Sequence, residues 1–177
     1  LDLLEFLVVH PCSDKEARQA LLQDALNGFQ KHYRRVNPEQ RELLKLLATD
    51  LGQLELLTRF FPETEEMQAA AASDPLASLA EKSVGVYTLT QSAGRQFQQV
   101  LESCCPKVRV SLCHDLDASK RLKQLAKQAD IFVMVTASAK HAATTAIEDN
   151  RPAGIPLLRP AGKGSASMLR VMREHLG

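Results

Sequence analysis

One stretch limits the folds open to this chain more than any other: Asp130-Ile131-Phe132-Val133-Met134-Val135-Thr136-Ala137-Ser138-Ala139-Lys140-His141. Its run of apolar residues is far too short to cross a bilayer, which takes about 20. It suits a strand buried on both faces, as in a parallel sheet covered by helices. Ser138 offers an N-cap and an alanine-rich run follows, so strand passes directly into helix. In open α/β sheets that junction is where ligands bind.

The length of 177 residues allows one ordinary domain, or a small domain with an appendage. No apolar run approaches a membrane helix, so no membrane contact is expected. The chain starts with Leu1 and has no basic stretch ahead of an apolar core. The expectation is a fragment or processed product of a cytoplasmic protein rather than an exported precursor. A net charge of +1 hides an asymmetry. Residues 1–82 hold 9 Lys+Arg against 14 Asp+Glu, and residues 83–177 hold 13 against 7. The basic half points towards anionic ligands and leaves a nucleic-acid contact open, though it lacks a concentrated basic patch. Cys12, Cys104, Cys105 and Cys113 match no zinc spacing, and neighbouring cysteines make a strained disulfide. They read as reduced structural thiols, with no metal and no cofactor implied.

From Leu1 to His10 the chain is nearly all apolar, and Pro11 stops it. Ser13 with Glu16 forms a capping-box pattern, after which Ala17, Leu21, Ala25, Phe29 and Tyr33 recur at helical spacing. Asn37-Pro38 opens a second helix whose stripe of Leu43, Leu44, Leu47, Leu51, Leu54 and Leu57 runs to Phe60-Phe61-Pro62. Residues 63–82 read as a short helix, a bend and a linker, with the domain boundary near Lys82. The expected organisation is thus an all-helical segment over 1–82 and an α/β domain over 83–177.

Past Ser83, strands and helices alternate. Strands are expected at Val84–Thr90, Lys107–Cys113, 131–136 and Ile155–Arg159. Helices are expected at Ala93–Cys105, Ala118–Ala129, Ala139–Asp149 and Ser165–Leu176. Val108, Val110 and Leu112 alternate with Lys107, Arg109 and Ser111, which marks an edge strand with one wet face. Such units imply a four-stranded parallel Rossmann-like sheet in the order 2-1-3-4.

All strand C-termini of a parallel sheet share one rim. The residues placed there as candidate ligand contacts are Thr90, Ser92, His114, Thr136, Ser138, Lys140, His141, Arg159, Gly162, Lys163, Gly164 and Ser165. Hydroxyls and cations ahead of helix N-termini suit phosphate or carboxylate. Gly162-Lys163-Gly164 lets backbone approach an anion, with Ser165 or Ser167 as a helix cap. It is not a Walker A loop, because Leu157 stands where the first glycine belongs. The first strand lacks GxGxxG, although Asp115 has a suitable spacing for a ribose hydroxyl. His114-Asp115 and Lys140-His141 carry acid–base groups, yet no nucleophile accompanies them, and no residue is assigned a catalytic role. An enzyme acting on a nucleotide or nucleic acid would have to work through His114 and His141.

These residues resemble a bacterial family of small Rossmann-like domains of unknown function. The likeness lies in His114 at a strand end, Ala129-Asp130 before an apolar strand, Ser138-Ala139-Lys140-His141 and the Gly162–Ser167 loop. More loosely, residues 83–176 are similar to the CRISPR-associated Rossmann-fold sensor domains, though without their double-glycine-Thr form. That resemblance implies a non-enzymatic regulatory domain binding a nucleotide-like or phosphorylated ligand at the rim, with a homodimer open. The helical half would then contact a protein partner. The alternative is a protein–protein assembly module of a multi-component bacterial system, antiviral defence among them.

Overall fold

The computed structural model of the protein describes residues 1–10, 12–32, 35–60, 74–137 and 139–177. Its backbone contacts divide the chain into two compact units, Leu1–Asp74 and Pro75–Gly177.

The first unit is helical: α1 (Asp2–Val9), α2 (Lys15–Lys31), α3 (Pro38–Asp50) and α4 (Leu54–Phe60). Leu4, Leu22, Leu26, Leu43, Leu44, Leu47 and Leu57 form its buried core. The cap of α2 is Asp14, not Ser13: its carboxylate accepts from the Ala17 N–H at 3.0 Å. Asn37 opens α3 as expected, and the Gln40 side chain accepts from the Asn37 N–H at 3.0 Å. The leucine stripe is not one helix. Gly52, at φ +70°, turns the chain out of α3 before α4 begins. An L side chain is strained in that backbone region. Leu54, expected on the buried stripe, is therefore 40% exposed. Tyr33, Phe61 and Pro62, and the short helix expected after Glu63, lie outside the described residues.

The second unit opens with a 3-10 turn, Pro75–Leu79, followed by β1 (Ser83–Tyr87), α5 (Gln91–Cys104), β2 (Arg109–Cys113) and α6 (Lys120–Gln128). Then come β3 (Ile131–Met134), α7 (His141–Asn150), β4 (Leu157–Leu158) and α8 (Ser165–Leu176). The four strands form one all-parallel sheet in the order β2-β1-β3-β4, as the sequence implies. The register pairs Val84 with Val110 and Ile131, and Tyr87 with Cys113 and Met134. β3 is buried along its whole length, whereas β2 alternates and β4 has only two half-buried residues. Central and edge strands are thereby distinguished by how many faces are covered.

Tyr87, Cys113, Phe132 and Met134 on one face of the sheet pack with Leu122 and Ala126 of α6 and Ala143 and Ile147 of α7. Alternation sends Val84, Val86 and Val133 to the other face, where α5 and α8 pack together. At Gly85 a Cβ would stand 2.7 Å from the Phe132 ring, so glycine here makes room for an aromatic on the neighbouring strand. Strands one, three and four end earlier than expected, at Tyr87, Met134 and Leu158. Leu112, expected to share the inward face of β2, is only half-buried, and Cys113 is the buried residue at that end.

The opposite end of the sheet is fastened by two side chains. The Asp130 carboxylate accepts from the Ser83 N–H at 2.8 Å and the Ser83 hydroxyl at 2.7 Å. That bonding holds its pKa below the usual carboxylate range. Arg151 donates to the carbonyls of Ala126, Ala129, Asp130 and Pro156. One guanidinium therefore ties the end of α6 to the starts of β3 and β4.

Candidate functional site

The first loop of the strand-end rim follows β1. Thr88 is fully buried there, and its hydroxyl accepts from the Thr90 N–H at 3.1 Å. Thr90 is the N-cap residue of α5 without a side-chain cap bond, and Ser92 stands half-buried in the first turn. His114, after β2, places Nδ1 2.6 Å from the Thr88 carbonyl oxygen. A carbonyl can only accept, so Nδ1 carries the proton and Nε2 is left as the acceptor when the ring is neutral. A Cβ on Gly94 would stand 3.0 Å from Thr88 and 3.2 Å from the His114 ring. The absent side chain is what lets α5 approach this histidine.

Asp115 is used within the fold. Its carboxylate accepts from the hydroxyl of Ser119, the residue that caps α6 by accepting from the Leu122 N–H at 3.0 Å. The Ser119 bond, with help from Cys113 and the charge of Arg121, holds the Asp115 pKa below its ordinary value. Burial pushes the Cys113 thiol up, which keeps it protonated and unreactive. Burial also raises Tyr87, and the charges of Cys113, Asp115 and Asp117 add to it. The Tyr87 hydroxyl is buried and has no hydrogen-bond partner among the described residues.

Thr136, Lys140 and His141 are exposed after β3. The N-cap residue of α7 is Lys140, without a side-chain cap bond, and Ser138 lies outside the described residues. Beyond β4 the loop closes on itself, since the Gly162 N–H donates to the Ser167 hydroxyl at 2.8 Å. Gly164 is the N-cap residue of α8, and Ser165 is fully buried, 3.5 Å from the Gln96 side chain of α5. Lys163 projects into solvent. Arg159 pairs with Glu148 at 2.9 Å, which directs its guanidinium to the last turn of α7 rather than across the rim.

The fold thus joins Thr88, Thr90, Gly94 and His114 at one corner, and Gln96, Gly162, Ser165 and Ser167 at another. Thr136, Lys140, His141 and Lys163 remain open to solvent. Sequence reading placed Asp115 here, as a ribose contact, but did not single out Tyr87, Gln96 or Ser119 as parts of this region. Only the Ser119 cap had a local signal, a serine just ahead of a helical run. Among the described residues no three His, Cys, Asp or Glu side chains gather as a metal site, and no helix is long and apolar enough to cross a membrane.

In the helical unit, a hollow of about 290 Å³ is lined by Ala25, Gly28, Phe29 and Val36, with His32, Arg35 and Gln40 as its polar members.

A parallel α/β sheet with a largely self-bonded rim, preceded by a helical unit, defines the class of protein. The chain belongs to the DpdD-like family, whose model matches residues 1–171 and so takes in both units. Neither a curated protein nor a solved structure matches it.

Proposed function

We propose that the chain is a protein–protein assembly module, one component of a multi-protein bacterial system. The observation that supports this most is the self-closure of the rim. Three of the groups that would receive an anion are engaged inside the fold: the Gly162 N–H by Ser167, Ser165 by burial beside Gln96, and His114 Nδ1 by Thr88. A backbone N–H already bonded has little left to offer a phosphate. Meanwhile the helical unit presents Leu3 and Phe6 of α1 at 57% and 56% exposure. Exposed large apolar side chains of this kind suit a protein partner.

The test is co-expression with the products of neighbouring genes, followed by size-exclusion chromatography. A complex that survives in wild type and is lost in Phe6→Asp is the expected result. No complex with any of those products would sink the reading.

A second reading keeps an anionic ligand at the rim, favoured by Lys140 and Lys163 standing exposed without an ion pair among the described residues. Mononucleotides, dinucleotides and cyclic oligonucleotides should leave the melting temperature unchanged if the first reading holds. A ligand-induced rise that Lys163→Ala abolishes would transfer the assignment to a sensor. Losing that charge-assisted hydrogen bond would weaken binding about ten- to a hundred-fold.

A further inference from the structure

The α6 helix has an outer face that the fold leaves unused. At 100° per residue, Lys120, Lys123, Gln124 and Lys127 fall in one sector, turned about 130° from the mid-direction of Leu122 and Ala126. All four are exposed, and Leu122 and Ala126 are fully buried. No lysine of the three has an ion pair among the described residues, whereas Lys107 and Arg159 pair with Glu81 and Glu148. Lys127, in the last turn, suits the helix dipole, but the start of the helix does not. The first turn of α6 carries Lys120 and Arg121 and no acid, the unfavourable arrangement at the positive end of the helix dipole.

The packed neighbour α7 continues the surface. Lys140 and His141 stand exposed at its start, and the small exposed side chains of Ala142 and Thr145 keep its first half low. Its acids, Glu148 and Asp149, wait until the end of the helix, where Glu148 is paired with Arg159. The opposing charges nearest the start of α6 are Asp115, bonded to Ser119, and the exposed Asp117.

We propose that this α6–α7 face binds the phosphodiester backbone of duplex nucleic acid without reading its sequence. An acidic protein surface would satisfy the charge but not the composition. Protein interfaces concentrate their energy in buried aromatic and aliphatic anchors, and none of the exposed large hydrophobics (Leu3, Phe6, Leu54, Leu116, Ile155) lies on α6 or α7. A single strand would call for aromatic rings on which bases stack, and neither helix contains Phe, Tyr or Trp. Lysine is a mobile point charge suited to phosphate contacts. From Lys120 to Lys127 the helix rises roughly 10.5 Å, about three steps of a B-form strand at roughly 3.4 Å each. The inference goes beyond the assembly reading and does not depend on it.

The test is fluorescence anisotropy with a short labelled duplex and the matching single strand. The expected result is weak duplex binding, with a dissociation constant of roughly 10⁻⁶ to 10⁻⁴ M and a log–log salt slope of about −3, from three phosphates neutralised. The single strand should bind more weakly. Lys120→Gln, Lys123→Gln and Lys127→Gln together should lower affinity at least about ten-fold at low salt with an unchanged circular dichroism spectrum. The control Lys45→Glu, on exposed α3 surface, should change nothing. Duplex binding absent from wild type, or retained in full by the triple glutamine variant, would overturn the proposal. So would displacement of the duplex by polyglutamate at equal charge, which would make the partner an acidic protein.

Discussion

The two units begin their helices by opposite rules. In the helical unit α2, α3 and α4 each have an acid in the first turn, Glu16, Glu39 and Glu55, and α2 and α3 also have bonded side-chain caps from Asp14 and Gln40. In the α/β unit none of the four helices has an acid in its first turn, and among them only α6 has a bonded cap, Ser119. Local interactions steady the first set of helices. The second set is steadied by burial against the sheet and by long-range hydrogen bonds. Freed from local demands, its helix starts can leave positive potential uncompensated along one rim. This contrast between locally and globally held helices can be tested in order of expected effect.

Arg151→Met should give the largest loss. It withdraws a charged donor from four carbonyls on three elements, although that of Pro156 still accepts from the Phe132 N–H, and the expected destabilisation of residues 75–177 is about 3 kcal/mol. Hydrogen exchange read separately for the two units should show protection falling in the α/β unit alone. Equal loss in residues 1–60 would break the distinction between the units. Gly85→Ala comes next: its methyl meets the Phe132 ring inside the sheet, and overpacking of this kind costs about 1–3 kcal/mol. Denaturant unfolding should show the midpoint shift without a change of slope.

Tyr87→Phe should have the opposite sign. Removing a buried hydroxyl that has no partner among the described residues should stabilise the α/β unit by about 1 kcal/mol. A clear loss on calorimetry would mean that the hydroxyl has a role the packing does not reveal.

Acid titration gives a smaller effect. Asp130 and Asp115 are held below their ordinary values in the fold, by Ser83 and Ser119 respectively. The unfolded chain therefore takes up protons first as pH falls. Their contribution is complete above about pH 4 and disappears as pH drops through the folded-state values. Asp130→Asn should flatten that acid limb in a thermal melt series, and an unchanged limb would count against the Ser83 bond. Lys120→Glu should have the smallest effect on stability, a gain of about 0.3–1 kcal/mol from an acid at the head of α6. The same substitution should weaken duplex binding. A gain in stability without that loss would separate the helix-dipole argument from the proposed surface.

Much of the fold could be read directly from residue patterns. The two-sided apolar run at Ile131–Met134 and the one-sided alternation of β2 placed a central and an edge strand correctly, and the strand order followed. The Asn37 opening of α3 was equally visible. Each of these rests on a property that a residue carries by itself: hydrophobicity at period 2 or 3.6, or a side chain able to cap its own neighbours.

What only the tertiary structure decided involves partners far apart in the chain. Asp130 reaches Ser83, Arg151 reaches Ala126, His114 reaches Thr88, and Ser165 is buried beside Gln96. No spacing rule connects such residues, because their proximity is created by strand pairing and crossover helices. The break at Gly52 falls in the same category, since the leucine spacing ran on through a backbone turn. The candidate rim shows the consequence. Its residue types announce an anion site, but whether a hydroxyl or an N–H is free to bind depends on where its nearest partner lands once the chain is folded. Sequence determined which groups stand at the strand ends, and packing determined which of them were already spoken for.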